Sequence, residues 1–438
     1  MRKILVGLVL TVVVSFYVFP ISFTFLPHAI NSKILVGVFG IFAFILNGIR
    51  KNGIYFSEPT IVGAVMASLF SVWCLYSITG TSNYNTIYAD YIVSYATWLA
   101  SAYGVYAALG LFYEKVDLEI ITRYLALVGV FQCITAVLID NYESVQSFVD
   151  SWMDLEQDFL HRGNRMYGIG AALDPGGIRF ATILVMIAHQ FSTNPNVRNN
   201  SLYQTSDLVA FATITIIGSV ISRTTTIGAA LGIAYITIAL FRMRKGGFVT
   251  LRMIRRFFWF IIVMVGIIAA AVYFYRSSET FKEYVRFGFE AFFNWVETGE
   301  FRTSSTDILM ERMWIWPSDL HTWIFGQGTF GIYENNTDIG YCNFTLYCGL
   351  VGMVIFSIFF LYCHLVQNRK YKEFQITSWL LIALTFIVWV KVTTDIFFID
   401  ALLFCAVGDY EEAEESDHSL LPKAMQFYNT DRNTETNY

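Results

Sequence analysis

Charge is what this chain of 438 residues has least of. Asp, Glu, Lys and Arg together make up 14% of it, against about 25% in soluble domains, which excludes an ordinary water-facing surface. Metal-like cysteine spacing is also missing. Cys74, Cys133, Cys342, Cys348, Cys363 and Cys405 fall in or at the edge of apolar segments, where they read as small hydrophobes rather than ligands or a disulfide framework. The opening Met-Arg-Lys and the apolar run Ile4–Phe19 lack a small-residue cleavage site and meet Pro20 instead, so the run reads as a retained first helix rather than a signal peptide. The net charge of −5 carries no nucleic-acid signal, because the basic residues sit in short loops beside apolar runs.

What is present is apolar residues, 55% of the chain, with a mean hydropathy of +0.52. Runs of bilayer-spanning length recur about every 30 residues. They predict helices near 4–19, 33–49, 60–78, 88–113, 120–139, 171–190, 207–221, 224–241, 257–275, 344–366, 375–393 and 396–408. The expectation is an all-α polytopic membrane protein of about twelve spans. One helical domain covers 1–408, and an acidic cytoplasmic tail covers 409–438. An unbroken helix from 207 to 241 would overshoot a bilayer of about 30 Å, so Ser222-Arg223-Thr224 is read as a sharp polar break.

Orientation follows from where Lys and Arg collect. Segment 242–256 holds six basic residues and no acid, and Arg50-Lys51 and Arg369, Lys370 and Lys372 fall on the same side. That side is read as cytoplasmic, with both termini. The Ser222-Arg223 break and two long loops, 140–167 and 276–343, then face outward. Val145, Phe148, Trp152, Leu155 and Phe159 form a helix-period stripe, as do Phe281, Val285, Phe289, Phe292 and Val296. Amphipathic helices lying along the membrane surface are expected there, serving either as a lid or as a guide for substrate.

Loop 276–343 carries ten acids against five bases, so its arginines stand out. Arg276, Lys282 and Arg286 read as partners of nearby carboxylates. Arg165, Arg223 and Arg312 each sit at a helix boundary in a Gly- or Ser/Thr-rich context. Arg223 has three threonines after it and no acid near it in sequence, and an unpaired guanidinium is costly at a membrane boundary. A phosphate would supply the counter-charge through bidentate hydrogen bonds. Arg165 fits loop packing or anion binding equally. Asp174 at the cap and Pro175 near the first helical position account for the next turn, so Asp174 reads as structural. The stretch Glu311–Gly352 is the most distinctive: Arg312 and Trp316, a Gly326-Gln-Gly328 turn, Asp338, then a helix containing Gly349-Leu-Val-Gly352.

In order and spacing these pieces resemble the O-antigen polymerase and O-antigen ligase superfamily of membrane glycosyltransferases, over roughly residues 160–370. The matching steps are Arg165 and Gly168 before Asp174-Pro175; Ser222-Arg223 heading a helix that ends in a basic loop; and Arg312, Trp316, Gly326 and Gly328 before Gly349–Gly352. Ligases of the superfamily carry a His-Asn pair eleven residues before the first glycine of the last step. Here that position is Asp338-Ile339, and Asp338, Gly340 and Tyr341 are closer to repeat-unit polymerases.

The resemblance implies an enzyme of the inner membrane that moves a growing glycan from polyprenyl diphosphate onto the next lipid-linked unit at the periplasmic face. Donor and acceptor are both polyprenyl-diphosphate-linked oligosaccharides, a chain-length regulator is a further partner, and no cofactor or metal is called for. Arg165 and Arg223 are candidates for the diphosphate. Arg312 and Asp338 are candidates for catalysis, with Asp338 either the base for the acceptor hydroxyl or a salt-bridge or capping residue. His321, Glu311 and Tyr341 are secondary candidates. A ligase acting on lipid A core and a twelve-helix lipid-glycan flippase are the alternatives.

Overall fold

The computed structural model describes residues 2–27, 29–81, 85–154, 166–241 and 279–406, together with part of 258–277. The basic segment 242–256, the tail 409–438, Arg165, Leu155 and Phe159 lie outside the described residues, as does part of the helix expected at 257–275.

The described chain is almost wholly helical. Its helices of six residues or more are α1 (Arg2–Val18), α2 (Ser32–Lys51), α3 (Glu58–Gly80), α4 (Tyr91–Gly110), α5 (Leu118–Asn141), α6 (Glu143–Trp152), α7 (Leu173–Thr193), α8 (Ser201–Ile221) and α9 (Thr225–Phe241). After the partly described segment come α10 (Glu279–Gly288), α11 (Glu290–Thr298), α12 (Ser304–Arg312), α13 (Leu320–Phe325), α14 (Gly340–Lys370) and α15 (Gln375–Val388), and then α16 (Phe397–Ala406). Six of these are long and apolar enough to cross a membrane: α2, α3, α4, α5, α8 and α14. The protein is an all-α membrane-embedded protein. A two-residue ribbon pairs Ser22 with Asp154 and Phe23 with Met153.

Local chemistry sets the helix ends. Asn31 caps α2 by accepting from the Ile34 amide, Asp117 caps α5 by accepting from the Ile120 amide, and Pro59 occupies the first turn of α3, where its missing N–H costs nothing. Where helices cross, small residues allow backbone contact, the usual solution where lipid removes the hydrophobic drive between helices. A Cβ on Gly40 of α2 would come within 1.9 Å of the Ala100 carbonyl oxygen of α4, and one on Gly228 of α9 within 2.2 Å of Ala181 of α7.

The stretch most distinctive in sequence turns out to be an interlock. Gly349 adopts φ 66° and ψ 179° inside α14 and divides it into a short helix from Gly340 and a longer one running to Lys370. The break frees carbonyls that a continuous helix would use, and a buried carbonyl must find another donor. Leu346 O accepts from the Gln327 amide at 2.7 Å, and Tyr347 O from the Gly328 amide at 3.0 Å and from Ser77 Oγ at 2.9 Å. Cys348 O accepts from Trp73 Nε1 at 2.8 Å. Gly326 and Gly328 have φ values of 79° and 71°, which only glycine adopts cheaply. The Gly-Gln-Gly turn therefore fills the donor gap left by the break at Gly349.

Candidate functional site

The first helix of α14 starts against the connection between α15 and α16. The Tyr341 amide donates to Trp389 O at 3.2 Å, and the Tyr341 hydroxyl to Phe386 O at 2.9 Å. Trp389 Nε1 in turn holds Thr394 O at 3.0 Å. These bonds fix the 389–396 segment, which carries Lys391 and Asp395, at the end of the bundle where α2, α4 and α7 begin and α8 ends.

Asp174 is not a helix cap. The N-cap of α7 is Ala172, which makes no side-chain capping bond, and Asp174 Oδ1 instead gathers three donors. They are Lys391 Nζ at 2.7 Å, Thr224 Oγ1 at 2.7 Å and Ser222 Oγ at 3.2 Å. The polar break at 222–224 is thus tied to α7 through a carboxylate, and Gly177 makes room, since a Cβ there would meet Ser222 Oγ at 2.4 Å. Leu173, immediately before Asp174, has φ 50°, an outlier for a branched residue that persists only where its surroundings over-determine it.

Asp338 stands beside this pair with one side exposed. Its carboxyl is raised above the usual aspartate range, first by burial of its other side, then by the charge of Asp174, while Lys391 opposes both. Deeper in, Asp395 Oδ2 accepts from the Tyr91 hydroxyl at 3.3 Å and Oδ1 from the Phe397 amide at 3.1 Å. Lys33 and Arg179 act on it electrostatically at longer range. The Lys33 ammonium lies 4.1 Å from the centre of the Trp98 ring. Arg179 makes no hydrogen bond or contact ion pair among the described residues, and Asp395 is its counter-charge. Lys33, Arg179 and Asp395 are each half-buried. Two charged groups therefore stand at one end of the bundle, Asp338 beside the Asp174–Lys391 pair and Asp395 between Lys33 and Arg179, drawn from four separate stretches of chain.

The residues singled out from sequence are distributed differently. Asp338 and Tyr341 flank the start of α14. Arg223 has its counter-charge already: Nη2 pairs with Glu290 at 2.7 Å, Nη1 donates to Ser305 Oγ at 2.8 Å and Nε to Phe287 O at 2.9 Å, with the guanidinium 4.1 Å from the Phe287 ring centre. It pins α10–α12 onto the break after α8. Arg312 and Glu311 are exposed at the end of α12, and His321 is exposed on α13 with its ring 5.0 Å from Phe325. Lys33, Arg179, Lys391 and Asp395 went unmarked in the sequence. Their signal was available: each is a lone charge in or beside an apolar window, the kind of residue that membrane proteins keep for function. No protein-family model, curated protein or solved structure matches this chain.

Proposed function

We propose that the protein is a membrane glycosyltransferase that polymerises lipid-linked oligosaccharide repeat units, with its site at the periplasmic end of a twelve-span bundle in the inner membrane. The observation that carries this reading is the pair of charged groups at one end of the bundle, a partly desolvated Asp338 beside the Asp174–Lys391 pair and, around Asp395, the cations Arg179 and Lys33 without a contact ion pair. The reaction forms a bond between an acceptor hydroxyl oxygen and the anomeric carbon of the donor glycan, and breaks the bond from that carbon to the diphosphate. The acceptor proton goes to a base and the diphosphate leaves with the electron pair.

Asp338 fits the base, since burial raises its carboxyl toward the working pH. Arg179 and Lys33 fit the leaving diphosphate, whose growing charge is the chief demand on such a site. Arg312, exposed at the end of α12, fits the rim, and Arg223 orders the segment that follows the break after α8; Arg165 remains a candidate for the diphosphate from the resemblance alone. Asp174 and Lys391 tune Asp338.

A flippase is the second reading. It is favoured by a pair inside the bundle, His364 Nδ1 at 2.9 Å from Asp400 Oδ1 with both side chains fully buried, because transporters place ionisable groups at such depth. The surface glycan of a deletion strain separates the readings. Single repeat units on the surface lipid support the polymerase. Lipid-linked polymer that never reaches its anchor supports a ligase, and units held on the cytoplasmic leaflet support a flippase. An unchanged glycan would refute all three.

A further inference from the structure

A second site lies away from these charged groups. Helix α2 packs along α4, while α3 packs on α4 and α14, so α2 and α3 barely touch and splay apart. Between them is an open cavity of about 750 Å³, within the range of small-molecule sites. Its walls are mainly apolar, among them Phe44, Ala64, Leu69 and Leu99, with Ser68 partway along and Asn47 and Thr60 nearer one end. Exposed Ile61, Val65 and Val72 form a ridge beside it, so it opens sideways, toward lipid.

One end of this groove is polar. Lys51 lines it there with Ser57, and Arg50 precedes Lys51 on α2. The turn after α2 shapes this mouth: Asn52 takes φ 56° and the Gly53 amide closes back on Gly48 O at 3.0 Å. Lys33 and Lys51 sit eighteen residues apart in one helix, which puts the mouth about 27 Å from the start of α2. It therefore lies at the end opposite the charged groups. A lipid whose anion is handled there cannot also place that anion at Lys51. From Ser57 to Val72, α3 rises about 22 Å, against about 15 Å for the hydrocarbon of one leaflet, so the groove takes a single chain held extended.

We propose that this groove binds one acyl chain of an anionic glycerophospholipid, with the lipid phosphate at Lys51. The inference rests on membrane embedding alone and is independent of the glycosyltransferase reading. Cations just outside the hydrocarbon attract anionic headgroups by about 1 kcal/mol each, roughly a fivefold preference over a zwitterionic lipid.

The test uses the whole protein reconstituted into phosphatidylcholine vesicles containing a small fraction of phosphatidylglycerol with a diazirine in mid-chain. Labelling is expected to concentrate on Ala64, Ser68 and Leu99. Unlabelled phosphatidylglycerol should compete it about five times better than phosphatidylcholine. Lys51→Gln should remove that preference while leaving chain labelling in place. Ser68→Trp should fill the groove and lower labelling at least fivefold, and its melting temperature shows whether the fold is kept. Lys51→Gln carries the headgroup test if the tryptophan variant does not fold. Equal competition by the two lipids, with label spread over exposed residues such as Phe39 and Val93, would reduce the groove to ordinary lipid contact and overturn the proposal. Preferential labelling by a photoreactive polyprenyl phosphate would overturn it in favour of an isoprenoid occupant.

Discussion

Replacing Gly349 with alanine tests the interlock that holds the loop against the bundle. At φ 66° and ψ 179° a side chain is strained whatever the space around it, at about 1–3 kcal/mol. There is no space either: the new Cβ would lie 2.2 Å from Ile324 O and 2.6 Å from the Phe325 amide nitrogen, both backbone. Relief requires α13 and the turn behind it to withdraw, which stretches the bonds from the Gln327 and Gly328 amides to Leu346 O and Tyr347 O. Net hydrogen bonds contribute about 0.5–1.5 kcal/mol each, so losing two of them adds about 2 kcal/mol. The expected destabilisation is about 3–5 kcal/mol. Cys74 and Cys348 are buried beside the break, so a thiol-reactive dye that fluoresces on labelling reports the loss directly. Gly349→Ala should label at a temperature several degrees below wild type. Gly7→Ala is the control, because a Cβ there meets nothing within 4 Å. A Gly349→Ala protein that melts with wild type would mean the break is not held by these carbonyls, and the account of the Gly-Gln-Gly turn would fall with it.

Three other predictions concern the charged end. Asp338 is raised by burial and by Asp174 and held down by Lys391, so polymerisation should fall on acidification, with a midpoint above the ordinary aspartate range. Lys391→Gln should move that midpoint to higher pH and Asp174→Asn to lower pH; shifts in the same direction would refute the assignment. The fall is not unfolding driven by Asp338, because a carboxyl whose folded pKa is raised costs stability as pH rises through the window, not as it falls. Removing either partner of the Asp174–Lys391 pair should cost about 1–2 kcal/mol, less than for a fully buried pair because both side chains are 30% exposed. The double variant should cost less than the sum of the singles, and strict additivity in thermal melts would argue against the pair. Arg223→Lys keeps charge but cannot serve Glu290, Ser305 and Phe287 O together, so it should lose folded protein nearly as Arg223→Ala does. Normal yield and melting for Arg223→Lys would remove the anchoring role.

How far the sequence was legible follows from which forces act locally. Apolar length and polar breaks placed the helices well: windows at 33–49 and 120–139 became Ser32–Lys51 and Leu118–Asn141, because a span must satisfy its own backbone whatever its neighbours do. The amphipathic stripe around Phe289 became α10 and α11 for the same reason. The break at 222–224 was legible, but its meaning was not. Arg223 shows no acid nearby in sequence, and its partner Glu290 lies 67 residues on in the chain. Asp174 looked like a cap because capping is local chemistry, and its real donors come from the 222–224 break and the 389–396 segment. Gly349 was recognisable as part of a motif, but nothing local shows that the freed carbonyls find Gln327, Gly328 and Trp73.

The division of roles between the cations at this end of the bundle also bears on mechanism. Arg223 is satisfied by protein, with an ion pair, two further hydrogen bonds and an aromatic face, and a group so engaged gains little from a ligand. Arg179 has only Asp395 at longer range, and Lys33 has the Trp98 ring and the same carboxylate. For a cation in such surroundings, an arriving diphosphate replaces missing solvation and does not compete with an existing salt bridge, so binding free energy is not lost to breaking one. The same reasoning orders the arginines as targets. Arg179→Gln should abolish polymerisation with melting unchanged, because the guanidinium holds no contact that the fold depends on. Arg223→Ala should lower melting and activity together. The comparison requires purified protein, activity normalised to folded protein, and donor-lipid affinity measured alongside. An Arg179→Gln enzyme that binds donor lipid and extends chains within a few-fold of wild type would remove the diphosphate from this site and return it to the rim, where Arg312 is exposed to meet it.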